Sequence, residues 1–238
     1  MAGAGRCHPG TGTAAKLRPA SSSVVPIFQY GHSLRPSMAR FSRVPYPATP
    51  PRTGLLGGVF DPPHVGHVEL ARAAMKQLSL ETLLVLVVAD PGHKRATTPA
   101  EARFELTKLA FDDVPGVQVE LDRHARTVDS LEERKLDDAV FILGADELAD
   151  FSRWKRPERV LALVRLAVAM RPGVSPEQVD EARARLPSPG RILSFSMPAI
   201  PISSSGIRER VARRESIDAL VPERVAATIA RLGLYLDG

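Results

Sequence analysis

From residue 53 onward, apolar positions alternate between two rhythms. Short, nearly unbroken apolar runs at 55–60, 82–89, 117–121, 139–143, 165–170 and 191–195 predict strands. The run at 82–89 has so few polar breaks that it suits a strand covered on both faces. Between these runs the spacing predicts helices over 65–78, 99–111, 129–134, 157–163 and 176–186, with 204–212 and 222–232 closing the chain. In the first helix Val65, Val68, Ala71, Ala74, Met75 and Leu78 recur at the three-to-four spacing of one helical face. Pro99 suits a helix start, because the first turn has no use for its missing N–H. Strand–helix alternation without an internal repeat predicts an α/β domain at 53–238. Its doubly wound parallel sheet would bind ligands outside the carboxyl ends of the strands, and the last two helices would form a small C-terminal extension.

Composition changes the picture at the N-terminus. The 238 residues, 44% hydrophobic, suit one domain with a real core. Residues 1–52 are rich in Pro, Ser, Gly and Ala, show no sustained period, and predict a disordered extension. They hold seven Lys/Arg and no acid, so an organellar transit peptide also fits that composition. The lack of an amphipathic helix favours the plainer reading, an upstream extension with initiation at Met38. The net charge of +5 would raise nucleic acid as a partner, but without the extension 25 basic face 27 acidic residues. Nucleic acid is therefore not expected. Cys7, the only cysteine, lies in the extension, so the domain can have neither a disulfide nor a thiolate metal site. No apolar run approaches the ~18 residues of a membrane span, and no secretory segment is evident. A cytoplasmic protein is the expectation.

The densest chemistry follows the first strand, in Gly57-Gly58-Val59-Phe60-Asp61-Pro62-Pro63-His64-Val65-Gly66-His67. Two glycines let backbone approach a ligand, and a helix starting just beyond aims free N–H groups at the same place. His64 and His67 share one face of the first turn and can hydrogen-bond anionic oxygens. Three rivals compete. A dinucleotide site wants a third glycine at the right offset, although Asp90 mimics its ribose-binding acid. A G-x-x-x-x-G-K-[ST] loop is nowhere in the chain. A His-x-x-His zinc pair finds no third ligand at sensible spacing. A second signal comes in Ile202-Ser203-Ser204-Ser205-Gly206-Ile207-Arg208, where three serines and a guanidinium precede or open a helix. One serine is explained as an N-cap; the set offers several donors to outer phosphates.

At these two motifs the sequence resembles the nucleotidyltransferase superfamily with signatures (H/T)-x-G-H and I-S-S-x-x-x-R. Its closest likeness there is to the bacterial nicotinate mononucleotide adenylyltransferases. Four segments carry the narrower resemblance: Gly92-His93-Lys94 with Arg103, Thr127-Val128-Asp129-Ser130-Leu131, Gly144-Ala145-Asp146 with Trp154, and Val221-Pro222 through Leu234-Tyr235. The likeness spans about 54–236. It implies a Rossmann-like nucleotidyltransferase fold and transfer of adenylyl from Mg·ATP to nicotinate mononucleotide. The products would be nicotinate adenine dinucleotide and pyrophosphate, with Mg2+ carried by ATP and no covalent intermediate.

By position, His64 and His67 would contact the triphosphate and stabilise the transition state, with Arg208 as a third catalytic group. Ser203, Ser204, Ser205 and Arg208 would hold the outer phosphates. Gly57, Gly58, Val59 and Phe60 would line the ATP site. Gly144 would join the ATP site, Asp146 would meet its ribose, and Lys94 would add charge over the phosphates. Thr127 and Trp154 would hold the pyridine nucleotide. Plainer roles exist for three of these: Trp154 as packing, Asp146 as a helix cap, Lys94 as solvated charge. Three positions depart from the family pattern: Val59 where Thr or Ser is usual, Arg126 where Tyr is usual, and Ser130 where Thr is usual. Transfer to nicotinamide mononucleotide or phosphopantetheine, or a non-catalytic nucleotide-binding relative, stays open at this stage. The sequence allows a homo-oligomer and does not report assembly.

Overall fold

The computed structural model describes residues 52–92 and 96–236. The expected disordered segment, apart from Arg52, lies outside them, as does Lys94. Six strands form one sheet: β1 (Thr53–Gly58), β2 (Thr82–Val88), β3 (Val117–Asp122), β4 (Val140–Gly144), β5 (Arg165–Met170) and β6 (Ile192–Ser196). Their order is β3-β2-β1-β4-β5-β6, and every pairing is parallel. The chain therefore winds outward from β1 in one direction, then restarts beside β1 at β4. That reversal leaves a crevice at the carboxyl ends of the central strands, where such sheets bind ligands.

Helices α1 (Val65–Gln77), α2 (Ala100–Phe111), α3 (Thr127–Arg134), α4 (Ala145–Ala149), α5 (Pro157–Leu163), α6 (Pro176–Ala184), α7 (Ser204–Ala212) and α8 (Glu223–Leu232) cover the sheet. Strand side chains alternate between two buried clusters. Leu83, Val85 and Val87 of β2 meet Val68 and Ala71 of α1, Leu106 of α2, and Val225 and Ile229 of α8 in the first. Leu84 and Leu86 of the same strand join Leu131 of α3, Leu148 of α4 and Leu161 of α5 in the second. Burial on both faces explains why β2 and β5 read as unbroken apolar runs. The C-terminal extension is real: α8 buries Val225 and Ile229 and is tied to α2 by an Arg224–Asp112 ion pair.

The strands agree with the expected runs to within two residues. Three differences matter to the site. β1 stops at Gly58 because Phe60, with φ at 52°, turns into the left-handed region that ends the extended run. α3 starts at Thr127, two residues early. The short helix α4 and the 3-10 turn Phe151–Arg153 were not expected, being too brief to show a period.

Candidate active site

The two glycines that end β1 sit where a side chain would crowd its neighbours. A Cβ on Gly57 would lie 3.2 Å from the Phe141 ring, and one on Gly58 2.8 Å from the Phe60 ring. Phe60 itself turns its ring into the core, against His67 (centroids 4.9 Å apart) and Phe111 (6.4 Å). What Phe60 can offer a nucleotide is therefore backbone. Its side chain supports His67 from behind.

His64 is the N-cap of α1, with extended backbone at φ −142° and ψ 171°. Its N–H donates to Nδ1 of His67 at 3.2 Å. That bond makes His67 Nδ1 an acceptor, so neutral His67 carries its proton on Nε2 and can donate it. The two rings stack at 3.7 Å with 25° between planes. Gly66 makes room for this, since a Cβ there would sit 3.0 Å from His64 Nδ1. That nitrogen is buried and has no hydrogen-bond partner among the described residues. Burial lowers the His64 pKa to about 4. His67 is also pushed well down, by burial first and by repulsion from a charged His64 second. Both imidazoles are thus neutral hydrogen-bonding groups at pH 7.

The serine motif closes on this loop from the far end of the chain. Ser203 caps α7, its Oγ accepting the Gly206 N–H at 3.1 Å. Ser204 Oγ donates to the Pro62 carbonyl at 2.8 Å, and Arg208 Nη1 donates to the Asp61 carbonyl at 2.6 Å. These contacts span 142 and 147 positions of sequence. The Ser204 proton is spent on the clasp, whereas the Ser205 hydroxyl meets only Ser203 Oγ, at 3.2 Å. Nε and Nη2 of Arg208 make no side-chain hydrogen bond or ion pair with the described residues, which leaves that edge of the guanidinium available among them.

Asp61 stands behind both motifs, a role the residue pattern did not reveal. It is 3% exposed. Its Oδ2 accepts from Thr97 N (2.6 Å), Thr97 Oγ1 (2.8 Å) and Thr98 N (3.4 Å), and its Oδ1 from Tyr235 OH (2.7 Å). Burial works against its charged form, but the hydrogen bonds from Tyr235, Thr97 and Thr98 outweigh this and hold the carboxyl below its ordinary range. Arg103, 1% exposed, completes the support. It donates to four carbonyls, those of Thr98, Val59, Val88 and Ala89. The signals for these residues lay only in the family-like segments holding Arg103 and Tyr235, and in Asp61 being the chain's first acid.

Beside this cluster opens a cavity of about 1080 Å³, lined among others by Gly57, Gly58, Val59, Thr127, Asp146 and Trp154. Trp154 stands edge-on to Phe141 (5.8 Å) and tilted on Phe151 (5.1 Å), so it both packs and lines the cavity. Asp146 does not cap α4. That position is Gly144, whose N–H donates to Glu147 Oε2 at 2.8 Å, and the exposed Asp146 carboxylate pairs with Arg171 at 3.3 Å. The structure thus sorts the expected residues into two groups. His64, His67, Ser203, Ser204, Ser205 and Arg208 surround the loop after β1, while Thr127, Asp146 and Trp154 line the cavity. The Gly57–Val59 stretch joins them. Among the described residues no group of three or more His, Cys, Asp or Glu could hold a metal ion, and no helix is long and apolar enough to cross a membrane.

A doubly wound parallel sheet with paired donors on two helix N-termini at the end of its first strand is the architecture of a nucleotidyltransferase. A family model described as cytidylyltransferase-like matches residues 55–210. A protein of Thermus thermophilus named as a probable nicotinate-nucleotide adenylyltransferase is 40% identical over 193 residues, 77% of this chain and 99% of its own. One so named from Exiguobacterium sibiricum is 35% identical over 194 residues, 77% of this chain and 98% of its own. In fold, the chain resembles nicotinic acid mononucleotide adenylyltransferase of Plasmodium falciparum complexed with NaAD. There the TM-score is 0.62 at 18% identity, over 78% of this chain and 98% of the other. This chain belongs to the nicotinate-nucleotide adenylyltransferase family, within the cytidylyltransferase-like nucleotidyltransferases.

Proposed function

We propose that the chain transfers the adenylyl group of ATP to nicotinate mononucleotide, forming nicotinate adenine dinucleotide and pyrophosphate, a step of NAD biosynthesis. The observation that carries this is the clasp of Ser204 and Arg208 onto Pro62 and Asp61, which brings two sets of phosphate donors to one loop at the mouth of an aromatic-lined cavity. In the reaction an oxygen of the acceptor 5′-phosphate bonds to the α-phosphorus of ATP as the bond to the bridging oxygen breaks. The electron pair leaves on pyrophosphate. Nothing covalent is asked of the protein, whose work is orientation and stabilisation of developing charge.

His67, with its proton on Nε2, and His64 donate as neutral imidazoles to oxygens about the α-phosphate. Neutral donors suit the step, because they stabilise charge as it grows without holding pyrophosphate by a full ion pair. The free edge of Arg208 and the Ser205 hydroxyl take the outer phosphates. Asp146 meets the adenosine ribose, and Lys94 adds charge over the phosphates. Trp154 stacks on the pyridine ring beside Thr127. Mg2+ carried with ATP would supply neutralisation of phosphate charge. Val59 lines the cavity without a hydroxyl, so phosphate contacts there fall to backbone. The cytoplasmic location expected from the sequence goes with this reading.

The deciding experiment measures pyrophosphate release from Mg·ATP with nicotinate mononucleotide, its amide and phosphopantetheine offered separately. Release with the acid in clear excess is expected. No release with any acceptor overturns the enzymatic reading, and release with the amide far exceeding the acid overturns the named substrate.

A further inference from the structure

Among the described residues, charges lining the cavity are almost all paired. His124 lies between Asp122 (2.8 Å) and Glu133 (2.9 Å), Arg153 pairs with Asp150 (3.4 Å), and Lys155 pairs with Asp129 (3.0 Å). The carboxylates on the lining are engaged too: Asp146 with Arg171, and Glu147 with the Gly144 N–H. Arg126 is the exception. Among the described residues its one hydrogen bond, to the neighbouring Ala125 carbonyl, is 3.5 Å long, and no carboxylate lies within ion-pair distance. Its exposed side chain lines the cavity next to Thr127, with Nη1 over Gly92, where even a Cβ would come within 3.4 Å.

The lining also carries four carboxylates, Asp122, Asp146, Glu147 and Asp150, which disfavour an anion that finds no cation of its own. Recruiting Arg153, Lys155 or His124 would mean breaking an ion pair already made. Arg126 requires no such exchange, and its planar fork matches a carboxylate or a phosphate. We infer that Arg126 is a specificity-determining residue that binds an anionic group of the acceptor mononucleotide, on the proposed reading of the function. Nicotinate mononucleotide carries two such groups, the ring carboxylate and the 5′-phosphate. The amide carries only the second, so a comparison of the two separates them.

The test is equilibrium titration of the full chain with nicotinate mononucleotide and with nicotinamide mononucleotide, for wild type, Arg126→Gln and Arg126→Lys. The same proteins are assayed for turnover. Arg126→Gln is expected to weaken nicotinate mononucleotide by about 10- to 100-fold, the usual effect of losing one charge-assisted partner. KM for ATP stays within about twofold. Arg126→Lys, which keeps the charge and loses the fork, recovers part of the affinity. Loss confined to the acid assigns the carboxylate as the bound group; equal loss with acid and amide assigns the 5′-phosphate. Unchanged affinity of Arg126→Gln for both overturns the inference. A wild type that turns over while the variant matches it fails this inference alone. A wild type that neither binds nor turns over fails the proposed function with it.

Discussion

Tyr235 donates its hydroxyl to Oδ1 of Asp61 at 2.7 Å, joining the last turn of the described chain to the first loop of the site across 174 positions. The same carboxylate holds Thr97 and Thr98, and the same residue's carbonyl holds Arg208. One buried residue therefore sets three segments around the histidine and serine motifs. Its replacement has consequences for both stability and acid sensitivity.

Asp61→Asn puts an amide N–H where Asp61 now only accepts, opposite donors that cannot move away. The expected loss is about 1–3 kcal/mol of unfolding free energy, and Tyr235→Phe should lose about half of that. Asp61 is held below its ordinary pKa, so its contribution is present above that ordinary value and disappears as pH falls through the folded value. Urea melts between pH 3 and 7 should show a shallower acid loss in Asp61→Asn than in wild type. Parallel curves would remove Asp61 from the account.

The histidines titrate in the opposite chemical sense with the same direction of pH effect. Folded His64 has its pKa lowered from 6.5 to about 4 by burial, so the neutral ring's contribution is full above 6.5 and is lost as pH falls toward about 4. Turnover should show no inflection near 6.5 from this pair. A drop in kcat/KM at that pH that vanishes in His64→Asn would contradict it.

His67→Ala should lower kcat by about 10²–10³-fold, the cost of removing one oriented donor to developing charge, with the far-ultraviolet circular dichroism unchanged. An unaltered rate would return the pair to a packing role against Phe60.

Gly66→Ala separates stability from activity. Alanine is favoured over glycine inside a helix by about 1 kcal/mol, so α1 should melt no earlier than in wild type. Yet the new methyl, 3.0 Å from His64 Nδ1, must displace that ring. A fall of about tenfold or more in kcat with Tm kept or raised is the expected pattern. Equal kcat would mean that the ring's position is not critical.

Arg103→Ala should be the most damaging of these changes to the fold. It removes the donor to three carbonyls at the ends of β1 and β2 and to that of Thr98 before α2, for a loss on the order of 3–5 kcal/mol. A denaturation midpoint close to wild type would show water replacing the guanidinium.

The strands and most helices were legible in the chain itself, because burial on both faces of β2 and β5 forces unbroken apolar runs and α1 must repeat Val68, Ala71 and Ala74 at helical spacing. The histidine and serine motifs were legible because hydrogen-bond donors bunch at helix starts, where backbone N–H groups are free. α4 was not, since five residues make little more than one turn and carry no period. The contacts that make the motifs one site were hidden as well. Ser204 with Pro62, Arg208 with Asp61 and Asp61 with Tyr235 are meetings of residues more than a hundred positions apart. Local pattern encodes which side chains face inward and which backbone groups go unpaired. Which of the inward polar groups meet is decided only when the sheet reverses direction beside β1 and α7 and the Tyr235 turn are packed back against it.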